Sequence, residues 1–387
     1  MYEGVCLLPT LRIRTPGRAH EHEVSIGRGV LSNAGRVART SFGPATRAVV
    51  IVSNARVFSL YGPTAMNSFQ NQGFTVSHVM VGDGERYKSL ATADKILQFL
   101  SAAQMERTDA VIALGGGVVG DLAGFAASIY LRGVPFIQIP TTLLAQIDAC
   151  IGGKTGVNLL AGKNLAGSFY QPSAVVVDVN TLETLCLREV VAGCCEMVKQ
   201  GAVASKKLFS QTVSFLQSTN SNAIRISGDL EKLVFAHCSF KASIVGQDER
   251  EDVTRIDRRS RRILNFGHTV GHALETVTQY RYFRHGEAVG FGVAAAAAIS
   301  KNLGLLKQSE LELLHEAIRM CGPLPAINNL DANSIVEAIR QDKKRLTGQN
   351  QWVLLEGIGR PRIVSAKDIS AGLVKKSFKE AVTALRG

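Results

Sequence analysis

Continuous runs of β-branched and aliphatic residues punctuate the first half of the chain, at positions 48–52, 75–81, 110–114, 136–140 and 174–178. Most are apolar throughout rather than alternating, the pattern of strands buried on both faces. Segments of helical period separate them, residues 90–103 being one. This strand–helix–strand order predicts a parallel sheet with crossover helices. After about residue 185 the strand pattern stops: positions 186–246, 263–305 and 308–320 carry helical patterning, and only 351–355 reads as a late strand. The expectation is an α/β domain over residues 1–184 and a mainly α-helical domain over 185–387, with the boundary between Asn180 and Arg188. We find no internal repeat and no low-complexity tract.

Two domains suit 387 residues, more than one core usually serves, and 46% hydrophobic content with 37 glycines fits a globular α/β protein. The longest apolar run, Val289 to Ser300, is broken by Gly290 and Gly292 and is too short to span a bilayer. It is expected to be a buried helix, with no membrane partner. Residues Met1 to Pro9 lack a basic start followed by a long apolar stretch, so no secretory leader is expected. The seven cysteines include the vicinal Cys194-Cys195 but no CxxC pair, which suggests reduced thiols and a cytoplasmic setting. A net charge of +12 would permit nucleic-acid binding. However, only the run Arg255–Arg262 is densely basic, and no aromatic stacking motif accompanies it. The charge is better matched to an anionic small substrate, with no nucleic-acid partner.

Chemistry concentrates at a few places. The predicted strand ending at Leu114 runs into Gly115-Gly116-Gly117-Val118-Val119-Gly120-Asp121 and then a helical pattern, a G-x-G-x-x-G in strand–turn–helix context. Glycines there let backbone amides approach a pyrophosphate at a helix N-terminus, so the first domain is read as Rossmann-like. The acid expected about twenty residues on, which would hold a ribose, is missing. Lys154 and Lys163 each follow glycines, and with Arg132 and Asn164 they suggest a cation-rich loop cluster for a phosphomonoester. Glu196 and Lys199, three apart, form either an ordinary ion pair or a carboxylate ligand with its neighbour. His268, His272 and His285 lie within eighteen positions beside Asn265 and Glu287, and the spacing of four places two imidazoles on one helix face. Such a group can hold a metal or can simply be packed.

Taken in order, Gly115–Asp121, Tyr130-Leu131-Arg132-Gly133, Pro140-Thr141-Thr142-Leu143-Leu144, Asp148…Lys154-Thr155-Gly156-Val157-Asn158, Gly162-Lys163-Asn164, Glu196…Lys199, Asn265…His268…His272 and His285-Gly286-Glu287 resemble the 3-dehydroquinate synthase family. The resemblance covers about residues 45–360. It implies a helical C-terminal domain that binds metal and substrate, and a reaction in which NAD transiently oxidises the C5 hydroxyl of 3-deoxy-D-arabino-heptulosonate 7-phosphate. Phosphate is then eliminated, C5 is reduced again, and an intramolecular aldol closure gives 3-dehydroquinate.

The resemblance also implies roles. Glu196, His268 and His285 correspond to the metal ligands, for zinc or alternatively cobalt, and His272 to a proton-relay group rather than a ligand. Asp83, Gly84, Glu85 and Lys88 match a ribose-binding loop. Gly117, Val118, Val119, Gly120 and Asp121 match the pyrophosphate contacts, and Thr141, Thr142, Thr181, Leu182 and Thr184 further NAD contacts. Lys154, Asn164 and Arg132 match the phosphate grip, with Lys343 or Lys344 contributing. Lys163 and Lys154 are shared between substrate and cofactor. Lys241 and Arg261 match a carboxylate pair, and Asp148, Lys199 and Asn265 hydroxyl contacts. A homodimer is implied. Two departures stand out: Asp148-Ala149-Cys150 replaces a common Asp-Ser-Ser, and His285 falls one position later than in several relatives. Sugar-phosphate cyclases making 2-deoxy-scyllo-inosose or epi-valiolone, metal-dependent polyol dehydrogenases and a non-catalytic basic binder are the rival readings.

Overall fold

The computed structural model describes residues 21–218, 228–327, 330–345 and 351–386. Residues 1–20, on which the expectation about a leader rests, lie outside them. Along the chain, β1 (Glu23–Gly27), β2 (Ala48–Asn54), β3 (Thr75–Val81), β4 (Ala110–Gly115) and β5 (Phe136–Pro140) precede a hairpin of β6 (Lys154–Leu159) and β7 (Gly162–Phe169), then β8 (Ala174–Asp178). All but the hairpin join one sheet in the order β1-β8-β5-β4-β2-β3, every neighbouring pair parallel. Helices α1 (Ala34–Phe42), α2 (Ala55–Gln70), α3 (Leu90–Ala102) and α4 (Gly117–Ile129) are the crossovers. The central strands bury both faces, as their uniform patterning requires: Val49 to Val52 and Ala110 to Leu114 are inaccessible to solvent or nearly so.

The five expected strands form where the runs placed them. β1 was not anticipated, because Glu23-Val24-Ser25-Ile26-Gly27 is only partly buried at the edge of the sheet and carries no long apolar run. The segment bearing Lys154 and Lys163 is a correction: those lysines lie on antiparallel strands rather than in loops. Gly156 and Gly167 allow the close approach, since a Cβ on Gly156 would stand 2.7 Å from the Ala166 carbonyl oxygen.

The rest is mainly helical, with α5 (Leu187–Ala204), α6 (Lys206–Ser218), α7 (Gly228–Val245), α8 (His268–Val277), α9 (His285–Asn302), α10 (Gln308–Met320) and α11 (Ala332–Arg345), then a hairpin of β9 (Gln351–Leu355) and β10 (Pro361–Ser365), and α12 (Ala371–Ala384). β10, the partner of the expected late strand, was also missed. The alanine- and glycine-rich α9 is the buried axis, packed against α5, α8, α10 and α12. Among the described residues no helix is long and apolar enough to cross a membrane. Gly267, at φ 81°, turns the chain into α8, and Gly292 of α9 receives its carbonyl: a Cβ on Gly292 would lie 2.0 Å from that oxygen. This glycine contact sets the α8–α9 spacing on which the histidines depend.

The strand order reverses between β2 and β4, so the carboxyl ends of these strands flank the crevice where doubly wound sheets bind ligands. The helices beyond β8 close over it.

Candidate active site

A cleft of about 1620 Å³ opens at the carboxyl ends of the strands. Its sheet-side wall is largely backbone. β4 ends at Gly115 and α4 starts at Gly117 with no side chain capping it, which leaves the first amides of a thirteen-residue helix directed at the cleft. Gly116, Gly117, Val118, Val119 and Asp121 line this wall, as do Asp83, Gly84, Glu85, Lys88, Thr141, Thr142 and Thr184. Gly120, Thr181 and Leu182 are buried behind it. The buried Lys88 ammonium lies 2.5 Å from Asp121 Oδ2 and also meets the Asn164 side chain. Tyr61 donates to the Thr181 carbonyl at 2.9 Å and sits 2.6 Å from Thr184 Oγ1.

Side chains make the opposite wall. α8 presents His268 and His272 one turn apart, and His285 opens α9; one nitrogen from each of the three lies within 4.8 Å of the others. Glu196 of α5, fully buried, points an oxygen to 3.7 Å from His285 Nε2. Lys199 pairs with the other Glu196 oxygen at 2.5 Å, while the oxygen facing His285 has no hydrogen-bond partner among the described residues. A buried carboxylate with one oxygen left open, beside three convergent imidazoles, is a donor set suited to a divalent ion. His268 Nδ1 faces the Phe266 carbonyl at 3.3 Å, so its Nε2 is the nitrogen left for a ligand. Burial and the nearby Lys199 hold His268 well below the usual imidazole range. His272 is open to the cleft but enclosed by protein at longer range; desolvation and then His285 push it down to about 4. His285 moves the other way, because the Glu275 carboxylate outweighs its burial.

Between these walls lies a charged floor. Asp148 sits in a π-helical turn, Ala145–Ala149, the kind of local widening of a helix found at functional sites. Its Oδ1 is 2.5 Å from Lys241 Nζ and its Oδ2 4.0 Å from Lys199 Nζ. Burial alone would raise Asp148, but Lys241 and then Lys199 hold it far below the carboxylate range. Arg261 donates to the carbonyl of Gly152 at 2.8 Å. Beneath the turn, the Gln146 carbonyl accepts from both Cys150 and Cys238 thiols at 3.2 Å. A thiol, rather than the hydroxyl expected at position 150, makes this contact. The described cysteines are all free.

The phosphate grip is not assembled. Lys154 pairs with Glu251, whose other oxygen accepts from Asn265 at 2.8 Å. Asn164 is held by Lys88. Arg132 is exposed on a left-handed turn at φ 67° and does not line the cleft. Lys163 pairs with Glu275 at 2.9 Å. Lys343 and Lys344 fall in the last turn of α11, and their side chains lie outside the described residues. Glu287 is no part of the histidine group: it accepts from the Arg284 amide and pairs with Arg188 at 2.6 Å. Sequence reasoning missed Glu251 and Glu275. Glu275 had a signal, since it lies three residues after His272 and seven after His268, on the same helix face.

A glycine turn at a helix N-terminus, facing a buried carboxylate–histidine group and a lysine–aspartate floor, defines a class of α/β-plus-helical cleft enzyme. The comparisons then specify it. Residues 78–192 match the family profile described as 3-dehydroquinate synthase N-terminal, and residues 193–345 the one described as 3-dehydroquinate synthase C-terminal. The chain is 41% identical over 367 residues to a 3-dehydroquinate synthase of Pelotomaculum thermopropionicum, covering 94% of each. Among solved structures it is similar to 2-epi-5-epi-valiolone synthase from Streptomyces hygroscopicus subsp. jinggangensis 5008, with NAD+ and Zn2+ bound (TM-score 0.84, 25% identity, 96% of this chain and 99% of that one). It also resembles 2-deoxy-scyllo-inosose synthase complexed with carbaglucose-6-phosphate, NAD+ and Co2+ (TM-score 0.78, 27% identity, 92% and 96%). The chain belongs to the 3-dehydroquinate synthase family.

Proposed function

We propose that the chain converts 3-deoxy-D-arabino-heptulosonate 7-phosphate to 3-dehydroquinate and phosphate, as a carbon–oxygen lyase of the shikimate pathway. The observation that carries this reading is that the cleft lined by a dinucleotide-type glycine turn also exposes His272, His285 and Asp148, which belong to the metal-type histidine group and the lysine–aspartate floor. The two cyclases solved with NAD+ and Zn2+ or Co2+ support the same cofactors here. When bound, NAD supplies reversible oxidation at C5, and the metal supplies positive charge for oxygens that become negative.

The protein's own groups do the rest. Glu196, His268 and His285 hold the ion. The amides at Gly117 and Val118 face the dinucleotide pyrophosphate, and Asp83, Glu85 and Lys88 its ribose. His272, neutral at pH 7 with its pKa near 4, accepts the proton that leaves the C5 hydroxyl. Lys241 and Arg261 bind the substrate carboxylate, and Asp148, Lys199 and Asn265 orient its hydroxyls. Lys154, Asn164 and Lys163 take the phosphate once Glu251 and Lys88 release the first two, with Arg132 and Lys343 or Lys344 completing the contact. The division into domains at 184/185, a homodimer and a cytoplasmic location belong to this reading as well.

The test is to incubate purified protein with NAD, zinc and the heptulosonate phosphate, and to follow phosphate release and dehydroquinate together. Equimolar formation of both supports the assignment. Turnover of glucose 6-phosphate to a cyclised product, with none from the heptulosonate phosphate, would move the chain to the inosose-forming cyclases.

A further inference from the structure

We propose that Glu275 is a positioning residue that ties the metal donor set to the cofactor side of the cleft through Lys163, so that NAD and metal bind with positive coupling. This rests on the ligand assignments above.

Glu275 lies on α8, with only 3% of its side chain exposed, and its two oxygens serve two different partners. Oε2 accepts from His285 Nδ1 at 3.1 Å. That bond fixes the proton on Nδ1 and leaves the lone pair of Nε2, the nitrogen 3.7 Å from Glu196 Oε1, for an ion. Oε1 lies 2.9 Å from Lys163 Nζ. Lys163 comes from β7, whereas the three assigned ligands and Glu275 come from helices α5, α8 and α9. It is therefore a strap across the cleft. At its other end Lys163 stands 3.6 Å from Glu85 Oε1, on the loop assigned to the ribose, and Glu85 is itself fixed by Asn158 at 2.8 Å. The Tyr280 ring, 4.7 Å from the ammonium, limits where it can go.

One carboxylate thus divides its negative charge between an ammonium and an imidazole N–H. Whatever draws Lys163 away leaves more of that charge for His285. A dinucleotide pyrophosphate at the glycine turn would be an anion in the same cleft that Lys163 lines, and would draw the Lys163 ammonium toward it. Binding it should strengthen the Glu275–His285 bond and make His285 Nε2 a better donor. By linkage, a metal on the other side must then favour the dinucleotide by the same factor.

The experiment is a zinc titration of metal-free protein against a competing chelator, with and without saturating NAD, on the native chain, Glu275→Gln and Lys163→Met. NAD saturation is set for each from its own direct NAD titration. NAD should tighten zinc on the native protein by about 5-fold or more. Glu275→Gln should weaken zinc by about 10–100-fold and remove the NAD effect. Lys163→Met, altered on the partly exposed hairpin, should keep zinc at least as tight as the native protein without NAD, and should also lose the NAD effect. Native zinc affinity in Glu275→Gln, or a native-sized NAD effect in Lys163→Met, would overturn the proposal. Should Glu275→Gln fail to fold by circular dichroism, the Lys163→Met titration decides alone. If the native protein binds NAD and zinc without coupling, the inference fails and the functional reading stands; if it binds no NAD or releases no phosphate, the functional reading fails on its own measurement.

Discussion

Gly115–Asp121 and the segment around Glu196 face each other across one cleft, yet they are built on opposite terms. The sheet side offers mostly backbone: four glycines, an uncapped helix start and the ends of largely apolar strands, with one buried ion pair, Lys88–Asp121, among them. Nothing there is charged and stranded before a ligand arrives. The helix side instead buries Glu196 and Lys199 almost completely, with Lys241 and Asp148 beside them. Each of those charges is tolerable only because of its partner, since desolvating an ion costs several kcal/mol (roughly) unless a counter-charge and hydrogen bonds offset it. The backbone wall needs one such pairing, Lys88 with Asp121. The charged wall is built from several at once.

Substitutions on both walls would break or sharpen that contrast. The largest effect is expected for Glu196→Ala, which leaves Lys199 with only Asp148, 4.0 Å away. A loss of about 3–5 kcal/mol in chemical denaturation is expected, together with loss of bound zinc; on the sheet side Val118→Ala should cost less than about 1.5 kcal/mol. Near-equal costs would dissolve the comparison. His272→Ala comes next. It should retain zinc by metal analysis while phosphate release slows about 10²–10⁴-fold, and zinc lost to the extent seen in His268→Ala would make His272 a ligand instead. Gly152→Ala tests where the two walls touch, because at φ 103° its Cβ would stand 2.2 Å from Arg261 Nη2. We expect about 1–3 kcal/mol of destabilisation from the backbone strain, with KM raised more than kcat falls.

The last substitution concerns acid stability. His237, bonded to Gln200 at 3.1 Å in the layer beneath Asp148, is held near 3 by burial and then by Lys199, against about 6.5 when unfolded. As pH falls from 6.5 to 3 the unfolded chain takes the proton first, so this site's contribution is complete above about 6.5 and declines toward 3. His237→Gln should flatten the stability–pH curve in that window, by up to about 1.4 kcal/mol per unit. A curve parallel to the native one would show that the proton is taken up elsewhere.

What could be read in advance follows the same division. Strands such as 48–52 and 110–114 announce themselves because burial on both faces leaves no room for polar residues. β1 and β10 escaped because edge strands carry mixed patterns, and β6–β7 because its paired glycines look like loop. The glycine turn was legible from its strand–turn–helix context, and the histidine pair from its spacing. The Glu196–Lys199 pair was visible as an i,i+3 contact, but its near-total burial was not, since most such pairs are solvated. Glu275 was passed over for the same reason: a glutamate late in a helix usually faces water, and only the fold shows that α9 and the β6–β7 hairpin converge on it. Glu251 lay ten residues before Arg261 in a loop with no periodicity to give it a direction.

The missing side chain at position 292 acts as a gauge block. His268 and His272 ride on α8 and His285 on α9, so the bore between their nitrogens is set by how far apart the helix axes stand where the Gly267 carbonyl rests against Gly292. A methyl group there would widen the bore without altering a single ligand. Laboratory selection for an ion of different radius should accordingly retune this chain first at 267 and 292, leaving the histidines in place.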